Sequence, residues 1–240
     1  SSRNRHLQNH RHFLMPLNAE QFITDGVVLL EGVDAAIEQG YGFAPNVIHP
    51  ELCSGLVVEA GRLPLLLDDR ADNPVNAGTQ REITYKYKNA HFAVHDPTVP
   101  LASRFSHELG KRAMMRRFRP GLEALHGWMP NAVGYQQYED PSHHLDPHRD
   151  SNGDIMLRAT ATLQGSAVVQ IHEADQEDIN YKDTTVVDEF TAEPGDIMFL
   201  RAPGLGNDER TIHGVLPPSV YPHFILNICM VSPEVLEAQT

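Results

Sequence analysis

Cysteine is scarce: Cys53 and Cys229 are the only two in 240 residues, and they lie far apart and outside any CxxC spacing. That argues against a disulfide framework and a thiolate zinc site, and it fits a reducing, cytoplasmic setting. Long apolar runs are missing as well. Stretches such as "GVVLL" are strand-sized, against the roughly 18 residues that a membrane span needs, so a soluble protein without membrane association is expected. Basic residues are outnumbered, 19 Lys and Arg against 32 Asp and Glu, for a formal charge of -13. This balance argues against a general nucleic-acid binder, because phosphate would meet a repelling mean field. The opening "SSRNRHLQNHRHFL", residues 1–14, lacks the apolar core of a secretory signal and reads as a disordered arm or cloning remnant, so its histidines are set aside as ligands.

What the chain does contain is enough apolar residue, 41%, for one sizeable core, and a single domain over 15–240 is expected. Residues 15–130 read as helical and strand-like support. "NAEQFITDG" suggests a short helix from an Asn18 cap to a stop at Gly26, followed by a strand in "VVLLEGV". A second helix fits residues 50–60. The loop-like "DDRADNPVNAG" leads into an alternating strand, "REITYKYKNAHFAV". The main helix is expected over 100–118, with Arg104, Lys111, Arg112, Arg116 and Arg117 forming either a docking patch for an anionic partner or an ordinary solvated face.

From residue 131 to 232 the texture changes to eight short runs: "AVGYQQY", "LDPHRD", "LRATATLQ", "AVVQIHE", "TTVVDEFTA", "DIMFLRA", "TIHGVLP" and "HFILNICMV". Turn formers such as "QGS", "EPGD" and "APGLGND" separate them. The expectation is a mainly β protein with flanking helices and a jelly-roll core.

Within those runs, "HHLDPHRDS" holds two His-x-Asp patterns, His144 with Asp146 and His148 with Asp150. With 14 His and 16 Asp in the chain, about one such pair is expected by chance, so the pattern gains weight only with a third ligand. Residues i and i+2 of a strand share a face, which suits two ligands on one ion. His213 in "TIHGVLP" supplies the third. Two imidazoles and a carboxylate make a facial triad that leaves open positions for a chelating cosubstrate and O2. His148 and Asp150 are preferred because Tyr138 lies ten residues earlier, room for a hairpin, whereas His144 falls in the turn "EDPSHH".

On "HRD", "EPGDIMFL" and "TIHGVLP", residues 131–232 resemble the Fe(II)/2-oxoglutarate-dependent oxygenase superfamily. The resemblance implies a double-stranded β-helix and an enzyme that decarboxylates 2-oxoglutarate to succinate with O2 while oxidising a substrate C–H bond. It makes His148, Asp150 and His213 the iron ligands. It also leads one to expect an Arg about ten residues past the distal His, to pair with the distal carboxylate of 2-oxoglutarate. This chain has His223 there, a residue without the permanent charge or fork of Arg. Arg158 or Arg201 could reach the pocket instead, and Tyr138 resembles a cosubstrate-binding tyrosine. Asn227 and Asn131 are similar candidates.

With Asp150 present as a ligand, halogenation is disfavoured and hydroxylation, oxidative demethylation or desaturation of a small-molecule or amino-acid-derived substrate is implied. Arg81 and Lys86 are candidates to meet an acidic substrate. The rivals are a cupin-like metal enzyme that does not use 2-oxoglutarate and an oxidative demethylase of alkylated nucleic acid.

Overall fold

The computed structural model describes residues 17–70, 75–76, 82–115, 125, 127–150, 153–174, 183–205 and 210–239. Arg81, Arg116, Arg117 and residues 1–14 lie outside these. After a 3-10 turn at Ala19–Gln21 comes helix α1, Gly26–Gln39, where the sequence reading places a strand. The Asp25 side chain accepts hydrogen bonds from the N–H groups of Val27 and Val28, so Gly26 starts this helix rather than stopping an earlier one. Leu29, Gly32, Val33 and Ala36 recur at helical spacing and are buried. A cap and a continuous buried stripe outweigh the small helix penalty of two valines.

The chain continues through β1 (Tyr41–Ala44), α2 (Pro50–Ala60), β2 (Leu66–Asp69), β3 (Val75–Asn76), β4 (Glu82–Ile83), β5 (Tyr85–Ala93) and α3 (Pro100–Met114). It then enters β6 (Ala132–Tyr138), β7 (His144–His148), β8 (Asp154–Glu173), β9 (Thr185–Ala192), β10 (Ile197–Arg201), β11 (Ile212–Val215) and β12 (Val220–Val231), and ends in α4 (Pro233–Gln239). All pairings are antiparallel. One sheet runs β6-β12-β8-β10 with β1 at its edge; the other runs β7-β11-β8-β9. Strand β5 pairs with both β6 and β7 and joins the sheets on the other side. This is the double-stranded β-helix expected from the eight runs, with helices on one face.

Two of those runs are one strand. "LRATATLQ" and "AVVQIHE" form the 20-residue β8, which pairs with β10 and β12 before Gly165 and with β9 and β11 after it. Gly165 makes the bend with φ of +72°, and a Cβ there would stand 2.4 Å from the Val220 carbonyl oxygen and 2.5 Å from that of Pro222. Gly165→Ala is therefore expected to destabilise the fold by about 2 kcal/mol, from left-handed strain and backbone overlap. Urea unfolding checks this, and an unchanged midpoint would show that the bend tolerates a side chain.

Alternation along the strands separates two interiors. Leu157, Ala159, Ala161, Phe199, Leu226 and Ile228 point outward onto Leu29, Val33, Leu52, Leu56, Phe105 and Leu109 of the three helices. Their neighbours Arg158, Thr160, Met198, Ile225 and Asn227 point into the barrel. Trp128 belongs to the first interior, fully buried with its indole N–H donated to the Leu157 carbonyl. Buried Glu59 of α2 accepts from the N–H groups of Leu101 and Ala102 and from the Tyr135 hydroxyl, which caps α3 where its own N-cap residue, Val99, offers no acceptor.

The basic residues of α3 are largely engaged within the fold. Arg112 pairs with Glu108 at 2.7 Å and donates to the Glu20 carbonyl, while Lys111 also reaches Glu108. Arg104 donates to the Leu17 carbonyl and lies over the Phe22 ring. These contacts tie the segment before α1 to α3. Of the two readings offered for this helix, they favour a structural role over a docking patch. Among the described residues no helix is long and apolar enough to cross a membrane.

Candidate metal centre

The two His-x-Asp copies are separated by a register shift. In β7, His148 stands opposite His213 and Leu145 opposite Val215, so three steps on one strand match two on the other. Such a bulge changes which face the following side chains occupy. Leu145 and His148 both line the barrel cavity, whereas Asp146 turns away to accept from the N–H and hydroxyl of Thr84, and His144 contacts the same hydroxyl. Gly214 sits opposite the bulge, where a Cβ would be 3.1 Å from the Pro147 nitrogen.

Ligand atoms of His148, Asp150 and His213 all lie within 4.8 Å of one another. The Asp150 carboxylate is 3.5 Å from His148 Nε2 and 3.9 Å from His213 Nε2. His148 Nδ1 is 2.9 Å from the Asp146 carbonyl and His213 Nδ1 is 3.3 Å from that of Thr211. A carbonyl only accepts, so each Nδ1 carries the proton and each Nε2 lone pair faces the carboxylate. Burial lowers the His213 pKa to about 4 against the opposing pull of Asp150, which keeps this imidazole neutral, the form that binds metal. Burial works to raise the Asp150 pKa, yet Arg158, His213 and His148 outweigh it and hold the carboxyl well below the usual range. Two imidazole nitrogens and one carboxylate oxygen, converging on one point, fit a divalent cation such as Fe(II).

Below the triad lies a cavity of about 330 Å³. Tyr85, Tyr87 and Tyr138 wall one side in sequence, with ring centroids 5.2 and 5.8 Å apart, and His223 lies 5.6 Å beyond Tyr138. Tyr138 and His223 face each other across β6 and β12. Both are buried, and neither the Tyr138 hydroxyl nor His223 Nδ1 has a hydrogen-bond partner among the described residues. The Tyr138 hydroxyl belongs to a residue lining the cavity and can donate to a carboxylate there, whereas His223 lies behind Tyr138 and is not among the lining residues. The Tyr138 hydroxyl thus fits one hydrogen bond to the distal end of 2-oxoglutarate, and His223 stands next to it on β12, where the resemblance leads one to expect an Arg. Burial lowers the His223 pKa to about 4, opposed by hydrogen bonding to the Gln164 and Gly165 backbone.

No family model and no curated protein matches this chain. Solved structures do. A prolyl hydroxylase from Trichoplax adhaerens, in complex with a hypoxia-inducible-factor peptide fragment, superposes with a TM-score of 0.55 at 10% identity, covering 90% of this chain and 94% of that one. A Pseudomonas putida prolyl-4-hydroxylase gives 0.52 at 15% identity over 85% and 100%. A Phytophthora capsici prolyl 4-hydroxylase gives 0.54 at 13% identity over 92% and 68%. The chain has the fold of these hydroxylases. At these identities the likeness speaks for the oxygenase fold alone, and the site must be argued from its own residues.

The remaining candidates of the oxygenase reading divide by position. Arg158 is at the cavity but committed, with Nε 3.2 Å from Asp150 and 2.7 Å from Asp154. It braces a ligand carboxylate. Asn227 lines the cavity and accepts from the Thr160 hydroxyl. Arg201 lies outside it, donating to the Ile37 carbonyl behind α1. Asn131 ties β6 to β12 through both backbone groups of Val231. Lys86 pairs with Asp69, and buried His143 accepts from the Glu139 N–H. The sequence reading missed Tyr85, Tyr87, His91, Gln136 and Arg149 as lining residues. Alternation in "TYKYKNAH" was the available signal for the first two, since Tyr at i and i+2 share a face.

Tyr138→Phe provides a local check. Removing a buried hydroxyl that lacks a partner is expected to leave the ligand-free protein as stable or up to about 1 kcal/mol more stable. The same change is expected to weaken 2-oxoglutarate binding about tenfold, the worth of one hydrogen bond to a charged group. Thermal unfolding and a cosubstrate titration read the two effects separately; a destabilised variant would mean that the hydroxyl is paired in the free protein.

Proposed function

We propose that this protein is an Fe(II)- and 2-oxoglutarate-dependent dioxygenase that hydroxylates an amino-acid-derived or other small-molecule substrate, with O2 consumed and succinate and CO2 released. The observation that carries the proposal is the convergence of His148, Asp150 and His213 on a cavity whose wall includes Tyr138, with its unpartnered hydroxyl. His148, Asp150 and His213 hold the metal. The Tyr138 hydroxyl and His223 hold the distal carboxylate of the cosubstrate. Bound iron with 2-oxoglutarate supplies the oxidising power; the protein's part is orientation and exclusion of water. Tyr85 and Tyr87 form the dry wall, and the Thr160 and Asn227 pair presents polar groups beside the metal. Arg158 keeps Asp150 ionised and aimed. The peptide held by the Trichoplax prolyl hydroxylase supports an amino-acid side chain, free or in a peptide, as the group attacked. The internal commitments of the α3 arginines weigh against a nucleic-acid substrate.

Anaerobic addition of Fe(II) and then 2-oxoglutarate tests the reading. A weak visible charge-transfer band is expected in the wild type and absent from His148→Ala and His213→Ala. If metal binds and no band forms at any cosubstrate concentration, the 2-oxoglutarate assignment is wrong and a cupin-like metal enzyme takes its place.

A further inference from the structure

A second cavity, of about 280 Å³, lies beside the metal centre and is lined by Arg149, Arg201 and Arg210 together with Tyr41, His172 and Glu173. Among the described lining residues, three guanidiniums stand against one carboxylate, in a chain of net charge -13. Like charges gathered in one concavity repel, and an anion placed among them relieves that repulsion. Two buried nitrogens there have no hydrogen-bond partner among the described residues: Arg149 Nε and His172 Nε2. His172 is only 8% exposed, and its other nitrogen is engaged 3.0 Å from the Thr184 hydroxyl, which leaves Nε2 for the cavity. The Tyr41 hydroxyl is already bonded to Asp188, so the obligate donor left unmet is Arg149 Nε. A buried donor without an acceptor implies an acceptor to come.

The position of this cavity gives it a purpose. Arg149 stands between the ligands His148 and Asp150 in sequence and lines both this cavity and the metal cavity. Arg210 donates from its guanidinium to the Asp150 backbone carbonyl. The cavity therefore borders the triad on two chain segments, through Arg149 between His148 and Asp150 and through Ile212 before His213. Guanidinium forks favour planar carboxylates.

We propose that this cavity is a carboxylate-binding subsite that holds an acidic group of the substrate beside the metal, so that the substrate is an anionic amino-acid derivative. Its assignment to the substrate rests on the oxygenase reading; the binding of the anion does not. The probe is N-acetyl-aspartate, with its uncharged diamide as control, titrated calorimetrically into the full chain loaded with Mn(II) and 2-oxoglutarate. The expected result is binding of the acid at least about tenfold tighter than the diamide, reduced about tenfold or more in His172→Phe and in Arg201→Met, with Mn(II) affinity unchanged. Arg201→Lys, which keeps the charge and the packing of the stem, is expected to retain part of the binding if the methionine variant does not fold. Equal binding of acid and diamide, no binding of either, or displacement of the acid by 2-oxoglutarate would each overturn the subsite. The anaerobic charge-transfer band is recorded on the same samples. A band without N-acetyl-aspartate binding removes only the subsite, and anion binding without a band removes only the cosubstrate assignment.

Discussion

Arg158→Met is expected to cost the metal-free protein about 3–5 kcal/mol, the usual consequence of removing one partner from a buried ion-paired set. For a chain of this length that is a fall in Tm of roughly 10 °C. The side chain stands between two carboxylates, 3.2 Å from Asp150 and 2.7 Å from Asp154. Methionine fills much of the volume but leaves two acidic groups facing each other out of water. Without Arg158 both carboxyls lose their main stabilising charge, and burial then favours the protonated form of each. A divalent cation on the triad brings positive charge back to Asp150. The loss is therefore expected to be markedly smaller in Mn(II) than in chelator. Thermal unfolding of both proteins under both conditions decides it. A drop under about 1 kcal/mol in chelator, or one that Mn(II) leaves unchanged, would show that Arg158 does not organise the metal carboxylate.

Sequence alone makes Arg158 a candidate cosubstrate anchor, and the structure makes it a brace for Asp150. Its inward direction follows from strand alternation, which sequence reveals, but its partners do not: Asp154 is four residues away on the same strand and Asp150 lies before the turn, and nothing in their spacing says that all three meet. The seven core strands were legible as eight runs because turn formers mark their ends and polar residues alternate with apolar ones, except that "QGS" marks the bend within β8 and not a break. The β7 bulge was not, although it decides which His-x-Asp copy can bind metal; a single extra residue leaves no compositional trace. Helix α1 was misread for the opposite reason. Its valines favour a strand locally, and only the Asp25 cap and the sheet it covers overrule them. The second cavity was invisible in sequence since Arg149, His172, Arg201 and Arg210 come from four separate segments.

His223 carries the other large effect. Its folded pKa is lowered by burial to about 4, against 6.5 for a free imidazole, so the unfolded chain binds a proton in that interval and the folded one does not. Stability contributed by the neutral ring is fully present above pH 6.5 and is lost as pH falls toward 4, about 3 kcal/mol at one pKa unit per 1.4 kcal/mol. His223→Gln, which cannot titrate, is expected to lose correspondingly less stability between pH 7 and pH 4.5, and equilibrium urea unfolding measures the difference. Cosubstrate turns the same group the other way. A distal carboxylate beside Nδ1 and the Tyr138 hydroxyl favours the imidazolium, the remaining neighbours of the ring being the Gln164 and Gly165 backbone. Binding of 2-oxoglutarate then takes up a proton, and its affinity is expected to rise as pH falls from 8 to 6, by up to about tenfold per pH unit. Titrating the anaerobic charge-transfer band at several pH values gives the slope. An affinity independent of pH in the wild type, or a slope that persists unchanged in His223→Gln, would mean that the cosubstrate carboxylate is held by a permanent cation elsewhere in the barrel. The histidine at this position would then be a packing residue beneath Tyr138.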